Sequence, residues 1–452
     1  MRRLILDHAL LPDGWAENVG IDIDGGMILA VHAKASADGR ERIAGIVLPG
    51  LPNLHSHTFQ RGMAGLAETR GPEGDSFWTW RQVMYRFLGS LTPDDVEAIA
   101  AFAMMEMLEG GFTALAEFHY LHRDVDGRPY ADIAELSHRM AAAAQETGMG
   151  LTLLPVFYAQ GGFGGVAPTE GQRRFINDVD SYARLLEGAR KAVAELDDAV
   201  IGVAPHSLRA VTPESLRDVV PLAGGGPIHI HIAEQVKEVE DCLTWSGQRP
   251  VAWLLDHAPV DPRWCLIHAT HLDAREVEGI AMSGAVAGLC PITEANLGDG
   301  IFEGADYLAA GGRFGVGSDS NIEISASAEL KQFEYSQRLK HRARNVLAEH
   351  EGQSTGRSLY ARALAGGAQA LGRRIGAIEA GQRADLVVLD AGYPDLAAVS
   401  GDRWIDSYVF VAGKAAIDTV FVAGNAVVRS GRHIHRETIR ARYGRAMARI
   451  LA

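Results

Sequence analysis

Ile228-His229-Ile230-His231-Ile232-Ala233-Glu234 alternates isoleucine with histidine, the period of two that an extended strand imposes on its side chains. Both histidines therefore face one side, with His231 nearer the end where the chain leaves the strand towards Glu234. So apolar a run suits a strand buried on both faces of a parallel sheet. Seven other runs share the texture: Gly45–Leu54, Thr113–Phe118, Gly150–Phe157, Val200–Ala204, Cys265–Ile267, Ala285–Leu289 and Phe314–Gly317. Amphipathic stretches separate them. Thr92-Pro93 opens a helix with Val96, Ile99, Ala103, Met107 and Leu108 at helical spacing, and Gly110-Gly111 ends it. Asp180–Asp197, Pro213–Leu222 and Asp273–Met282 read the same way. Strand and helix alternating eight times imply an α/β chain closed as a (β/α)8 TIM-type barrel. The competing open, doubly wound sheet would want a Gly-x-Gly-x-x-Gly turn after the first strand, and none is there.

The two ends have another texture. Arg3–Asp7, Val19–Ile23 and Met27–His32 are strand-like, split by turns at Pro12-Asp13-Gly14 and Asp24-Gly25-Gly26. Ala384–Leu389, Thr419–Val422 and Ala426–Arg429 are strand-like too, with Ala423-Gly424-Asn425 as a hairpin turn. Neither end has strands enough to stand alone. The expectation is one small composite β-sandwich from residues 1–48 and 383–452, beside a barrel hydrolase domain over residues 49–382. A chain of 452 residues has room for both.

Composition narrows the function. A formal net charge of −14 leaves no basic stripe for phosphates, so nucleic acid is not the expected partner. Cys242, Cys265 and Cys290 are far apart, with no Cys-x-x-Cys pair, and imply neither a disulfide framework nor a thiolate zinc site. The apolar run after Met1-Arg2-Arg3 stops at Asp7, unlike a signal peptide. No apolar segment approaches the roughly 18 residues of a membrane span. The expected compartment is the cytoplasm.

A barrel enzyme keeps its chemistry where the strands end. The polar residues there are His55 and His57, then Glu117, His119, Tyr120 and Tyr158, His206 with Arg209, His231 with Glu234, His268, Thr293 with Asn296, and Asp319. His55 and His57 stand at i and i+2 on an extended segment, so both imidazoles can reach one ion at roughly 2.0–2.1 Å. His-x-His is weak by itself; its place directly after a buried-strand pattern adds weight. His229, deeper in its strand, reads as a structural histidine. Asp319, in Gly315-Val316-Gly317-Ser318-Asp319-Ser320, would also suit a helix N-cap. Barrel closure, however, sets the last strand beside the first, which makes this carboxylate a candidate ligand or proton acceptor. His268 faces the same mouth.

Together these elements resemble the amidohydrolase superfamily, in its branch of deaminases of cyclic and linear amidines. Gly381-Gln382-Arg383-Ala384-Asp385-Leu386-Val387 is similar to part of that superfamily's composite sandwich. A narrower resemblance is to the formimidoylglutamate deiminase family. It rests on residues 53–65 with Phe59-Gln60-Arg61, on Phe77-Trp78-Thr79-Trp80-Arg81, on Ala204-Pro205-His206-Ser207-Leu208-Arg209, and on Pro291-Ile292-Thr293-Glu294-Ala295-Asn296-Leu297-Gly298-Asp299-Gly300.

By that resemblance His55, His57, His231 and Asp319 would bind zinc, while Glu234, His268 and Asp319 would handle protons. Gln60, Arg81, Tyr120, His206 and Arg209 would hold the amino-acid end of a small dianionic substrate. The fourth run ends Val203-Ala204-Pro205-His206, without the lysine that bridges two ions in some relatives, so one ion per chain is expected, with iron or manganese as other candidates. The implied reaction is hydrolysis of N-formimino-L-glutamate to N-formyl-L-glutamate and ammonia by a metal-activated hydroxide, in histidine degradation. The resemblance also implies a homodimer. Two other readings stay open: a sister deaminase of a guanine, adenosine or triazine ring, and a non-catalytic barrel scaffold.

Overall fold

The computed structural model describes residues 1–71 and 74–452. Its strands, in chain order, are β1 (Arg2–Leu11), β2 (Gly14–Asp24), β3 (Met27–His32), β4 (Glu41–Pro49), β5 (Leu51–Ser56), β6 (Phe112–His119), β7 (Gly150–Phe157), β8 (Val200–Ile201) and β9 (Ala204–Pro205). There follow β10 (Ile228–Ile232), β11 (Trp264–His268), β12 (Val286–Leu289), β13 (Arg313–Val316), β14 (Leu386–Leu389), β15 (Ile417–Val422), β16 (Asn425–Arg429) and β17 (Arg432–His433).

Two parallel arcs make the barrel. One runs β5-β6-β7-β8 with β9 also beside β7, the other β10-β11-β12-β13. Parallel bridges Val203↔Ile228 and Ser207↔His231 join them on one side, and Ser56↔Asp319 on the other. Helices such as Pro93–Glu109, Val179–Val193 and Ala274–Ser283 lie between successive strands. Their starts follow the capping rules: Thr92 and Asp95 exchange side chain for main chain, with Pro93 in the first turn, and Asp273 caps the helix that begins at Ala274. The barrel strands are packed on both faces, with Leu54, Leu115, Leu153, Ile230, Leu266 and Val316 among the residues without exposure.

Two of the expected runs are built differently. Gly45–Leu54 is not one strand: Gly45–Pro49 belongs to β4 outside the barrel, and the barrel strand begins at Leu51. The break falls at Gly50, where a Cβ would collide with the Thr113 side chain. Val200–Ala204 splits into β8 and β9 around Gly202, whose missing side chain leaves room for the Pro227 carbonyl.

The chain ends pair in the order β17-β16-β15-β14-β4-β1-β2-β3. This composite sandwich is one continuous sheet curled over itself. Its far edge returns to the middle through Ile28 N–H donating to Gln382 O at 2.8 Å and Ala384 N–H to Gly26 O at 2.9 Å. Leu4, Leu6, Val19, Ile21, Leu386 and Phe421 fill the fold as a core of its own. The helix Arg436–Ile450 returns to the barrel, where Tyr443 stacks on Phe102 with ring centroids 4.0 Å apart.

Helix Thr355–Leu371 holds the closing strands together. Gly366 sits against the Phe314 carbonyl of β13 and Gly367 against Pro52 of β5. Gly366→Ala would drive a methyl into main chain, and such overpacking typically costs about 1–3 kcal/mol. The expected result is a lower thermal unfolding midpoint by circular dichroism; an unchanged midpoint would mean that the helix can back away freely.

Candidate active site

β5 carries His55 and hands over to His57, β10 carries His231, and Asp319 stands just beyond β13. The main chain locks the first and last together: His57 N–H donates to Asp319 O, and Asp319 N–H to His55 O, both at 3.0 Å. A Cβ on Gly317 would come within 2.6 Å of the His55 carbonyl oxygen, so only glycine permits this approach. Asp319, His268, Ala233 and Asn321 all have positive φ. Left-handed backbone on such residues costs on the order of 1–3 kcal/mol each and persists where surroundings hold it. Asn321 does much of the holding: its amide donates to Ser56 Oγ at 3.0 Å, to His57 O at 3.1 Å and to Asp319 O at 2.9 Å. Asn53 braces the same turn, donating to Ser318 Oγ at 2.7 Å and accepting from Ser318 N–H at 3.1 Å.

His231 Nε2 lies 3.1 Å from His55 Nε2 and 3.3 Å from His57 Nε2. Asp319 Oδ1 is 3.4 Å from His55 Nε2 and 3.3 Å from His57 Nε2. Four donors at about 2.0–2.1 Å around a tetrahedral ion stand roughly 3.3–3.4 Å from each other. The fit is close. His57 Nδ1 donates to Phe118 O at 2.8 Å and His231 Nδ1 to His206 O at 3.1 Å, so each of these Nε2 atoms offers a lone pair. Lone pairs aimed at one another repel unless a cation lies between. Burial pushes the His55 pKa down to about 3 and lowers those of His57 and His231, keeping all three imidazoles neutral. Burial would raise the Asp319 pKa, but the polar contact with His55 and the neighbouring imidazoles, His268 carrying the positive charge among them, hold it well below the carboxylate range.

Beside the ligands, His268 Nε2 faces Glu234 Oε1 at 3.8 Å and Asp319 Oδ2 at 4.0 Å. Its Nδ1 lies 3.3 Å from Glu294 Oε1. Burial would lower its pKa, yet the surrounding carboxylates of Glu234, Glu294 and Asp319 lift it to about 10. Burial raises the proton affinity of the Glu234 carboxyl.

His57, His231, Asp319, His268 and Glu234 open onto one cleft enclosing about 470 Å³, part of it open to solvent, which also receives Gln60, Arg81, Tyr120, His206 and Arg209. Of the sequence-derived site residues all but His55 line it, and His55, fully buried, lies behind His57 and His231. Gln60 donates to the Tyr120 hydroxyl at 2.9 Å, and Arg81 to the Tyr158 hydroxyl at 2.9 Å. Arg81 and Arg209 both lie over the Trp78 ring, each 5.8 Å from its centroid. Arg209 has Glu238 at 3.8 Å, and its Nε makes no hydrogen bond.

Other strand-end residues stay outside. His229 Nε2 bonds Ala370 O at 2.8 Å, the structural role expected of it. Glu117 accepts from Thr58 N–H and Oγ1, both at 2.9 Å. Thr293 pairs with Ser320, and Asn296 with Glu68. Sequence reasoning missed Glu294 as the partner of His268, and Phe77, Trp80, Met84 and Leu297 as cleft walls. An acid in the first turn of the helix Pro291–Leu297, straight after β12, was the available signal for Glu294.

A (β/α)8 barrel with three imidazoles and a carboxylate at its strand ends defines a metal-dependent hydrolase. This chain belongs to the amidohydrolase family: the Amidohydrolase family model matches residues 46–427, and that of the "Formimidoylglutamate deiminase HutF, N-terminal domain" matches residues 6–45. It is 53% identical over 455 residues to formimidoylglutamate deiminase from Pseudomonas aeruginosa, covering 100% of this chain and 99% of the relative. An amidohydrolase from Brucella melitensis superposes with a TM-score of 0.96 at 53% identity, covering 100% of both chains. An adenosine deaminase from Xanthomonas campestris, with bound zinc, shares the fold at a TM-score of 0.82 and 22% identity, over 99% of this chain and 98% of the other.

The donor set predicts that purified protein carries divalent metal and that His57→Ala loses most of it while keeping its circular dichroism. Equal metal content in the two proteins, by plasma mass spectrometry, would contradict the site.

Proposed function

We propose that this chain hydrolyses N-formimino-L-glutamate to N-formyl-L-glutamate and ammonia, the deimination step of histidine degradation, with one zinc ion per chain. The observation that carries the reading is the polarity of one cleft. Imidazoles and acids line it together with two arginines that both lie over one tryptophan. Two cations side by side, one with an unused donor, suit a substrate bearing two carboxylates. A neutral purine or triazine ring would bring no carboxylate to either, and a scaffold protein would have no use for a complete donor set. The full-length likeness to a formimidoylglutamate deiminase supports the same substrate.

Bound among His55, His57, His231 and Asp319, the zinc ion would lower the pKa of a water ligand from about 15.7 towards roughly 7. The protein's own groups do the rest. Asp319 Oδ1 faces the histidines, which leaves Oδ2 to accept a proton from the attacking water. A C–O bond forms at the imine carbon, giving a tetrahedral centre. The His268 imidazolium, held by Glu294, presents Nε2–H to the developing negative charge. Glu234, its proton affinity raised by burial, and Asp319 each pass a proton to the departing nitrogen. That nitrogen leaves as ammonia when the C–N bond breaks, and the new hydroxyl returns its proton to Glu234 as the formyl C=O closes. Arg209 and Arg81, with Gln60, Tyr120 and His206, hold the glutamyl carboxylates and fix the imine carbon in place.

We read residues 49–382 as the catalytic domain and residues 1–48 with 383–452 as its sheet satellite. No helix among the described residues is long and apolar enough to cross a membrane. A cytoplasmic homodimer is part of the same reading, the dimer being checked by light scattering.

Ammonia release from N-formimino-L-glutamate, set against guanine and adenosine, tests the substrate: activity on the ring compounds alone would end this reading. Glu234→Gln should lower kcat by about 10²–10⁴-fold with a nearly unchanged KM. Arg209→Ala should raise KM steeply instead, and an unmoved KM would remove Arg209 from the carboxylate role.

A further inference from the structure

The segment Pro291–Gly300 carries a second acid that the steps above leave unused. Asp299 is 5% exposed. Its Oδ1 accepts from the Gln235 side-chain amide, its carbonyl oxygen accepts from His271 Nε2 at 2.9 Å, and its N–H donates to Glu294 O at 2.9 Å. Oδ2 is buried with no hydrogen-bond partner. One carboxylate oxygen of Asp299, one of Glu234 and a nitrogen of His268 lie within 4.8 Å of one another. Two carboxylates so close and so dry resist ionising together, and they titrate as a pair. Around them stand His268, Glu294 and Asp319, then Arg209 and Glu238 on the Glu234 side and His271 on the Asp299 side. His268 can balance only one negative charge, and three acids already face it. Burial foremost raises the proton affinity of both members; the charge of Glu234 adds to it at Asp299, and the charges of Asp319 and Glu238 add to it at Glu234.

We propose that Asp299 is a positioning residue for proton delivery: it and Glu234 hold one proton between them, and Glu234 passes that proton to the departing nitrogen. The inference rests on Glu234 being the general acid. As the C–N bond breaks, its electron pair goes to nitrogen with the pair's proton, ammonia leaves, and the pair is reprotonated by the new hydroxyl as the formyl C=O closes.

The test is the pH profile of kcat/KM for N-formimino-L-glutamate, with metal content and melting temperature followed for each variant. Removing a like charge lowers the proton affinity of Glu234, so its acid form is lost at lower pH. Asp299→Asn should therefore move the alkaline limb down by roughly 1–3 pH units. Gln235→Met removes the donor that favours ionised Asp299 and should move the limb up. A limb unmoved in both variants, with Glu234→Gln inactive, overturns the role of Asp299. If Asp299→Asn fails to fold, an unmoved limb in Gln235→Met overturns it alone. A fully active Glu234→Gln overturns instead the general-acid assignment beneath it.

Discussion

The pair of main-chain hydrogen bonds between Asp319 and the segment His55–His57 is the constraint on which the site depends. It closes the ring of strands, and the same closure sets a carboxylate oxygen against two imidazoles. Structure and chemistry meet in one contact. Gly317 and Gly366 matter because each lets one backbone approach another at this seam, and Gly367 because it leaves room for the Pro52 ring. Asn53 and Asn321 matter because they satisfy the polar groups that the tight turn exposes inside the protein.

From that seam the cleft acquires its polarity. It gathers groups that burial alone would discharge, and they keep their charge states by answering one another: the acids lift the His268 pKa, while the histidines lower that of Asp319. It also gathers cations on an aromatic face, where stacking supports them without neutralising them. A molecule with a basic nitrogen-carbon centre at one end and carboxylates at the other complements both. The strained residues Ala233, His268 and Asp319 mark where the fold gives up local stability to aim side chains inward.

Much of this was legible in the chain itself. Short runs that are apolar nearly throughout located the barrel strands, because burial on both faces leaves a signature that no tertiary knowledge is needed to read. The four candidate metal ligands were legible because they sit at or just past the ends of those runs, in motifs that resemble the family's. Gly50 and Gly202 were less so: a glycine inside an apolar run signals a break only when the neighbour it accommodates, Thr113 or the Pro227 carbonyl, is known. Glu294 and Asn321 were hidden for a similar reason. Their partners lie 26 residues away at His268 and 264 away at His57, and side-chain networks of that reach carry no periodicity. The curl of the terminal sheet likewise depends on Gly26 meeting Ala384 across most of the chain.

Anomalous diffraction from crystals of the protein purified without added metal tests the central claim most directly. One peak should lie about 2.0–2.2 Å from His55 Nε2, His57 Nε2, His231 Nε2 and Asp319 Oδ1, with an absorption edge that names the element. A peak elsewhere, or Asp319 swung away from an ion held by the histidines alone, would contradict the account.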